Sequence, residues 1–130
     1  MILHSPSGYC MPFEEENNKE VTLSTGYGEQ QDALTGETYF HHGITFNAHH
    51  RPLVAVASGT VSGIGNDKGR GLYLIIRYGK YEVTYAGLFN LFVRFGQAVK
   101  AGQIAAVSGN DLYMEVSFAG EELNPIEFLT

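Results

Sequence analysis

The amino-acid sequence predicts a mainly β domain, an antiparallel sheet closing towards a sandwich or barrel-like form. Composition is the first observation: 16 Gly, 8 Tyr and 8 Phe in 130 residues, with 44% hydrophobic residues, fit many short strands joined by tight turns. The second is period-two alternation of apolar and polar side chains in several segments, and the third is glycine-centred turn chemistry between them. A chain of 14.3 kDa suits a single domain burying roughly two thirds of the surface its unfolded form exposes, so no disulfide is needed for stability.

Taken along the chain, Ile44 to Ala48 predicts a strand, with Ile44 and Phe46 on one face and Thr45 on the other, and Arg51-Pro52 a turn beyond it. Extending that alternation backwards places His41 with Gly43 and Thr45, and His42 on the opposite face. Asn66 to Gly71 reads as a turn. Leu72 to Tyr78 and Tyr81 to Leu88 are strands joined by Gly79-Lys80, where glycine at the first loop position suits a type II′ hairpin. Leu88 to Phe95 is an apolar run of ambiguous type. In the last predicted strand Asp111, Tyr113 and Glu115 share a polar face and Leu112, Met114 and Val116 an apolar one. No segment shows a helical period with caps, and there are no repeats or linkers.

Charge and cysteine usage narrow the function classes. A formal net charge of −6 argues against nucleic-acid binding and membrane insertion, since the 8 Lys and Arg are spread thinly and no run approaches the ~20 apolar residues of a span. Glu14 to Glu20 is an acidic run without the alternating oxygen ligands of a calcium loop. Cys10 is the only cysteine; with one histidine and no third group it makes a poor case for a cysteine peptidase. Asp111 and Glu115 stand ~13 Å apart along a strand, beyond the ~5–9.5 Å of glycosidase carboxylate pairs. Met1 to Pro6 has neither the positive nor the apolar region of an export signal.

Several motifs recur in a specific order. Val21 to Gly28 and Thr35-Gly36 precede Phe40-His41-His42-Gly43-Ile44-Thr45, followed by Arg51 to Val61, Tyr85-Ala86-Gly87-Leu88, Phe95 to Ile104, Asp111 to Val116 and Asn124-Pro125. This order resembles the lysostaphin-like, or LytM-type, zinc metallopeptidases that cut peptidoglycan cross-bridges, over nearly everything from Val21 to Leu129. The resemblance implies the LytM-like duplicated-hybrid-motif antiparallel fold for residues 21–130, with residues 1–20 as an N-terminal extension packed on it or loosely attached. It also implies a cell-envelope setting, or a domain trimmed from an exported protein.

The chemistry that the resemblance implies is largely missing. A catalytic zinc keeps three protein ligands and one open position; the family's first ligand matches His41, but its aspartate position holds Thr45 and its last histidine position Tyr113. The two further histidines that act on substrate and water in the family correspond to Gly87 and Asp111. A neutral threonine and a phenol with a pKa near 10 are poor zinc ligands at neutral pH. The family's Gly, Ser and Thr-rich loop is also shortened, as Val107-Ser108-Gly109-Asn110 runs straight into Asp111. His49 and His50 cannot restore a site with His41, being ~26 Å away along an extended chain.

The sequence therefore predicts no metal and no cofactor, but a pseudoenzyme whose vestigial groove of His41, Thr45, Tyr85, Gly87, Asp111 and Tyr113 binds a peptide, a peptidoglycan fragment or a cell-wall protein partner. Asp111 beside His41 can form a hydrogen-bonding remnant, and Tyr85 with Tyr113 either offers an aromatic surface to a ligand or fills the vacated metal cavity. An alternative is an active, atypical zinc endopeptidase with ligands from outside the motifs. A minor one is a glucose-type phosphocarrier domain with His41 as phosphate acceptor, because those domains share His-x-Gly-Ile.

Overall fold

Alternating side chains drive the chain into antiparallel strands, each giving one face to a shared core. The computed structural model describes Pro12, Phe13 and residues 22–129. The expected boundary after residue 20, His4, Cys10 and the acidic run from Glu14 to Glu20 lie outside the described residues. In chain order the strands are β1 (Thr22–Thr25), β2 (Gly28–Gln31), β3 (Thr38–His41), β4 (Ile44–Asn47), β5 (Pro52–Val54), β6 (Gly59–Asp67), β7 (Gly71–Tyr78), β8 (Tyr81–Leu91), β9 (Ala98–Val99), β10 (Ile104–Phe118) and β11 (Glu121–Leu123). A short helix, α1 (Pro125–Leu129), follows them.

Nine strands form one sheet with the path β1-β4-β10-β8-β7-β6-β9, while β5 and β11 also pair with β10. β2 and β3 form a separate two-stranded sheet. The mainly β antiparallel architecture agrees with the sequence reading, as does the β7–β8 hairpin: Gly79 has φ +64° and Tyr78 pairs with Tyr81 across the two-residue loop. On β10 the alternation holds residue by residue, with Leu112, Met114 and Val116 buried and Tyr113 and Glu115 half-buried between them. These three join Ile44, Phe46, Leu53, Leu74, Ile76 and Val83 in one core, and full burial of each such side chain contributes about 1.5–3 kcal/mol. Phe13 docks onto this core, bridging to Leu53 and meeting Phe46 edge-on at 5.3 Å.

Three details differ from the sequence reading. The turn expected at Arg51-Pro52 sits earlier, at His49-His50 with His50 at φ +48°, because Pro52 already begins β5. A helix exists where none was predicted: Asn124 Oδ1 accepts the Ile126 N–H at 3.0 Å as an N-cap and Pro125 takes the first helical position. Five residues are too few to display a helical period. The ambiguous run from Leu88 is strand as far as Leu91 and then irregular.

Tyr85 is a further difference. It was expected in the groove, but it lies wholly inside the core, its hydroxyl 2.9 Å from that of Tyr78. Residue 85 falls on the same side of β8 as Val83, facing the apolar interior. Burial holds the Tyr85 phenol well above its ordinary pKa and pushes that of Tyr78 up to about 12. Groups raised in the folded state stabilise it fully below their unfolded pKa, near 10, and lose that contribution as pH climbs through the folded value. Fold stability should therefore hold up to about pH 10 and fall steeply as pH climbs through about 12, which pH-dependent urea unfolding would measure. Tyr78→Phe, which leaves the Tyr85 hydroxyl buried without a partner, should cost about 1–3 kcal/mol in the same assay.

Candidate functional site

The site forms where the β2–β3 sheet, the β6–β7 turn and the middle of β10 meet. β3 stops at His41, the chain bends through His42-Gly43, and β4 begins at Ile44. Gly43 is required there, because a Cβ would collide with the Met114 carbonyl and the Tyr113 ring. The bend breaks the alternation assumed for this stretch, so His41 and His42 both line the same open cavity of about 670 Å³ instead of pointing apart. Thr45, Gly87, Asp111 and Tyr113 line it too. Five of the six residues expected in the groove are thus brought together, and Tyr85 is not.

Across the floor, Thr45 on β4 pairs with Tyr113 on β10, which pairs in turn with Ala86 on β8. Beside this row the β10–β8 register slips. Ser108 pairs with Leu88 and Tyr113 with Ala86, so the four residues Gly109 to Leu112 stand opposite Gly87 alone. The shortened segment is therefore a bulge within one long strand. Its ends are fixed: the Ser108 hydroxyl donates to the Ala48 carbonyl and accepts the Arg51 N–H, and the His50 N–H donates to the Gly109 carbonyl. Gly87 adopts φ +77°, donates its N–H to the Arg70 carbonyl at 3.0 Å, and would place a Cβ 3.2 Å from the Asp111 carbonyl.

Four of the polar side chains around the groove, His41, His42, Arg70 and Tyr113, have defined partners. His41 Nδ1 lies 2.9 Å from the Gly26 carbonyl; a carbonyl only accepts, so this nitrogen carries the proton and Nε2 is left as an acceptor. The hydrogen bond from His41 to Asp111 expected from sequence is replaced by this one. His42 Nδ1 donates to the Glu122 carboxylate at 3.0 Å, and the same carboxylate accepts the Tyr27 hydroxyl at 2.7 Å. Burial works against ionisation of Glu122, yet these two hydrogen bonds together hold its carboxyl below the usual range.

Tyr113 is engaged on both its ring and its hydroxyl. The hydroxyl donates to Glu115 at 2.6 Å, and Glu115 receives a two-pronged ion pair from Arg70 at 3.0 and 3.1 Å. The Arg70 guanidinium lies 5.7 Å from the centre of the Tyr113 ring, while the His41 ring lies 5.4 Å away. Burial, then the hydrogen bond to Glu115, holds the Tyr113 phenol well above its ordinary pKa. Asp111, exposed at the groove, makes no hydrogen bond or ion pair among the described residues.

Sequence reasoning missed Phe40, His42 and Arg70, which complete the walls. Arg70 was legible only as part of a turn, since its contact with Glu115 spans 45 residues of sequence. The residues present do not fit a catalytic zinc. Of the positions that would hold it, only His41 offers a ligand suited to the ion, Thr45 is neutral, and the Tyr113 hydroxyl is protonated and committed to Glu115. Among the described residues no three His, Cys, Asp or Glu side chains converge.

Residues 39–125 match the sequence profile of Peptidase family M23. The chain belongs to this family. An uncharacterized metalloprotease of Haemophilus influenzae is 33% identical over 103 residues, covering 72% of this chain and 22% of that protein. The murein hydrolase activator NlpD of Escherichia coli is 34% identical over 85 residues, covering 59% of this chain and 22% of that protein. The chain thus spans about a fifth of the length of these relatives. The structure of LytU superposes with a TM-score of 0.73 at 27% identity, covering 88% of both chains, so the M23 domain has the lysostaphin-like fold.

Within this M23 domain, Gly87→Ala should destabilise by about 1–3 kcal/mol, the cost of holding an L-residue in a left-handed conformation against a nearby carbonyl. Chemical denaturation checks this. Glu115→Gln should lower the Tyr113 pKa without restoring the ordinary value, because burial remains; ultraviolet titration of the phenolate reads the shift.

Proposed function

We propose that this M23 domain is non-catalytic and uses its former active-site groove to bind a peptidoglycan peptide or a cell-wall protein partner. The observation that carries this reading is the Thr45–Tyr113 cross-strand pair. It fills two of the three ligand positions with poor zinc ligands, and one of them is tied down by Glu115 and Arg70. A ring-lined cavity of about 670 Å³ is retained without the machinery of hydrolysis, a volume within the usual range of ligand sites. Likeness to a protein named as a murein hydrolase activator supports a role exerted through binding, although its match covers only a fifth of that relative.

Calorimetric zinc titration of chelator-stripped protein tests the non-catalytic half of the reading. No stoichiometric site is expected, and His41→Ala should change nothing; a submicromolar site lost in His41→Ala would overturn it. The scaffold itself should remain competent. Thr45→Asp combined with Tyr113→His places ligands on the same cross-strand pair beside the anchored His41, and this double variant should bind one zinc that His41→Ala removes. For the binding half, Asp111→Ala and Tyr113→Ala should weaken retention on isolated peptidoglycan or on a captured partner, and unchanged retention would sink the groove as the binding surface.

A further inference from the structure

We propose that the groove selects a ligand bearing a primary ammonium group, held by the Asp111 carboxylate on the side of the exposed Phe40 ring; this rests on the reading of the groove as a binding site. The groove's donors, acceptors and charges set this preference. The fixed donors around the cavity are already spent on protein acceptors: His41 Nδ1–H on Gly26, His42 Nδ1–H on Glu122, the Tyr113 hydroxyl on Glu115, and the Gly87 N–H on Arg70. The one full cation, Arg70, has its charge matched by Glu115 in a two-pronged pair. The charge left unmatched among the described lining residues is negative: Asp111 offers a carboxylate without a partner among the described residues, and His41 offers Nε2.

Thr45 and Asn110 can serve either way and do not alter this balance. A ligand that complements the groove therefore carries positive charge, and an ammonium supplies that charge together with three donors. The half-exposed ring of Phe40 at the cavity wall adds a face for a cation. The net charge of −6 favours the approach of a cation. An anionic ligand meets the opposite conditions, since it would face Asp111 while the charge of Arg70 is already matched by Glu115.

The test is a nitrogen-15 NMR titration of the full chain with end-blocked Ala-Lys-Ala, its Nε-acetyl form and Ala-Glu-Ala. The lysine peptide should shift the amides of Gly87, Asp111 and Tyr113. Acetylation of the peptide or Asp111→Asn should weaken this roughly tenfold, the scale of losing one charge-assisted hydrogen bond, while Asp111→Glu should retain most of the binding. Equal binding of the acetylated or glutamate peptide, indifference to Asp111→Asn, or no shift with the lysine peptide would overturn the inference. Soluble peptidoglycan fragments, titrated before and after acetylation of their free amines, separate the two levels. Binding at the groove that survives acetylation leaves the binding reading intact and overturns the ammonium; binding lost on acetylation supports both.

Discussion

The cross-strand row of Thr45, Tyr113 and Ala86 is the constraint on which the site depends. It exists because β10 is hydrogen-bonded to β4 on one side and β8 on the other, so one strand sets the height and direction of side chains contributed by distant parts of the chain. β10 also pairs with β5 and β11, and its alternate residues Leu112, Met114 and Val116 are buried. A one-residue slip of such a strand would send these apolar groups to the groove and the polar ones into the core. The packing that stabilises the sheet therefore also fixes where Tyr113 stands, and the floor of the groove is as rigid as the core beneath it.

That coupling explains what was legible beforehand. Period-two patterning identified both faces of β10 and both strands of the β7–β8 hairpin, because there the side-chain period and the buried face coincide. It failed at His42 and at Tyr85 for different reasons. Between β3 and β4 the backbone bends at Gly43, and a bend resets which side each residue faces; the close approach to Met114 that demands glycine cannot be seen in a single sequence. Tyr85 was assigned by its neighbours in a motif, yet a tyrosine can satisfy its hydroxyl deep inside a core, and Tyr78, seven residues away across the hairpin, provides that partner. The Arg70–Glu115 contact was invisible because it depends on how the β6–β7 turn folds over β10.

The polar groups of the groove are also layered by purpose. Those at the hairpin end, Tyr27, His42 and Glu122, tie the two-stranded β2–β3 sheet to β11. Arg70, Tyr113 and Glu115 join the β6–β7 turn to β10. Both groups are partly open to water, so each ion pair taken alone contributes little to stability. Their effect is on order: they hold aromatic rings in fixed positions around the cavity without much conformational freedom to lose when a ligand arrives, which favours binding over a loose surface of the same composition.

The backbone constrains position 87 far more than positions 45 and 113. At the position where the family carries a histidine, Gly87 sits at φ +77°, and Gly109 approaches so closely that its Cβ would lie 2.7 Å from the Gly87 carbonyl. The bulge that places four residues of β10 opposite Gly87 needs this close contact between two glycines. A histidine restored at position 87 would meet a left-handed backbone that L-residues rarely adopt, and relieving it would disturb the bulge that presents Asp111. Thr45 and Tyr113, in contrast, lie on regular paired strands that would accept other side chains without rearrangement. Positions 45 and 113 can therefore change by side chain alone, whereas position 87 is tied to its main-chain path, and through the bulge opposite it so is the presentation of Asp111.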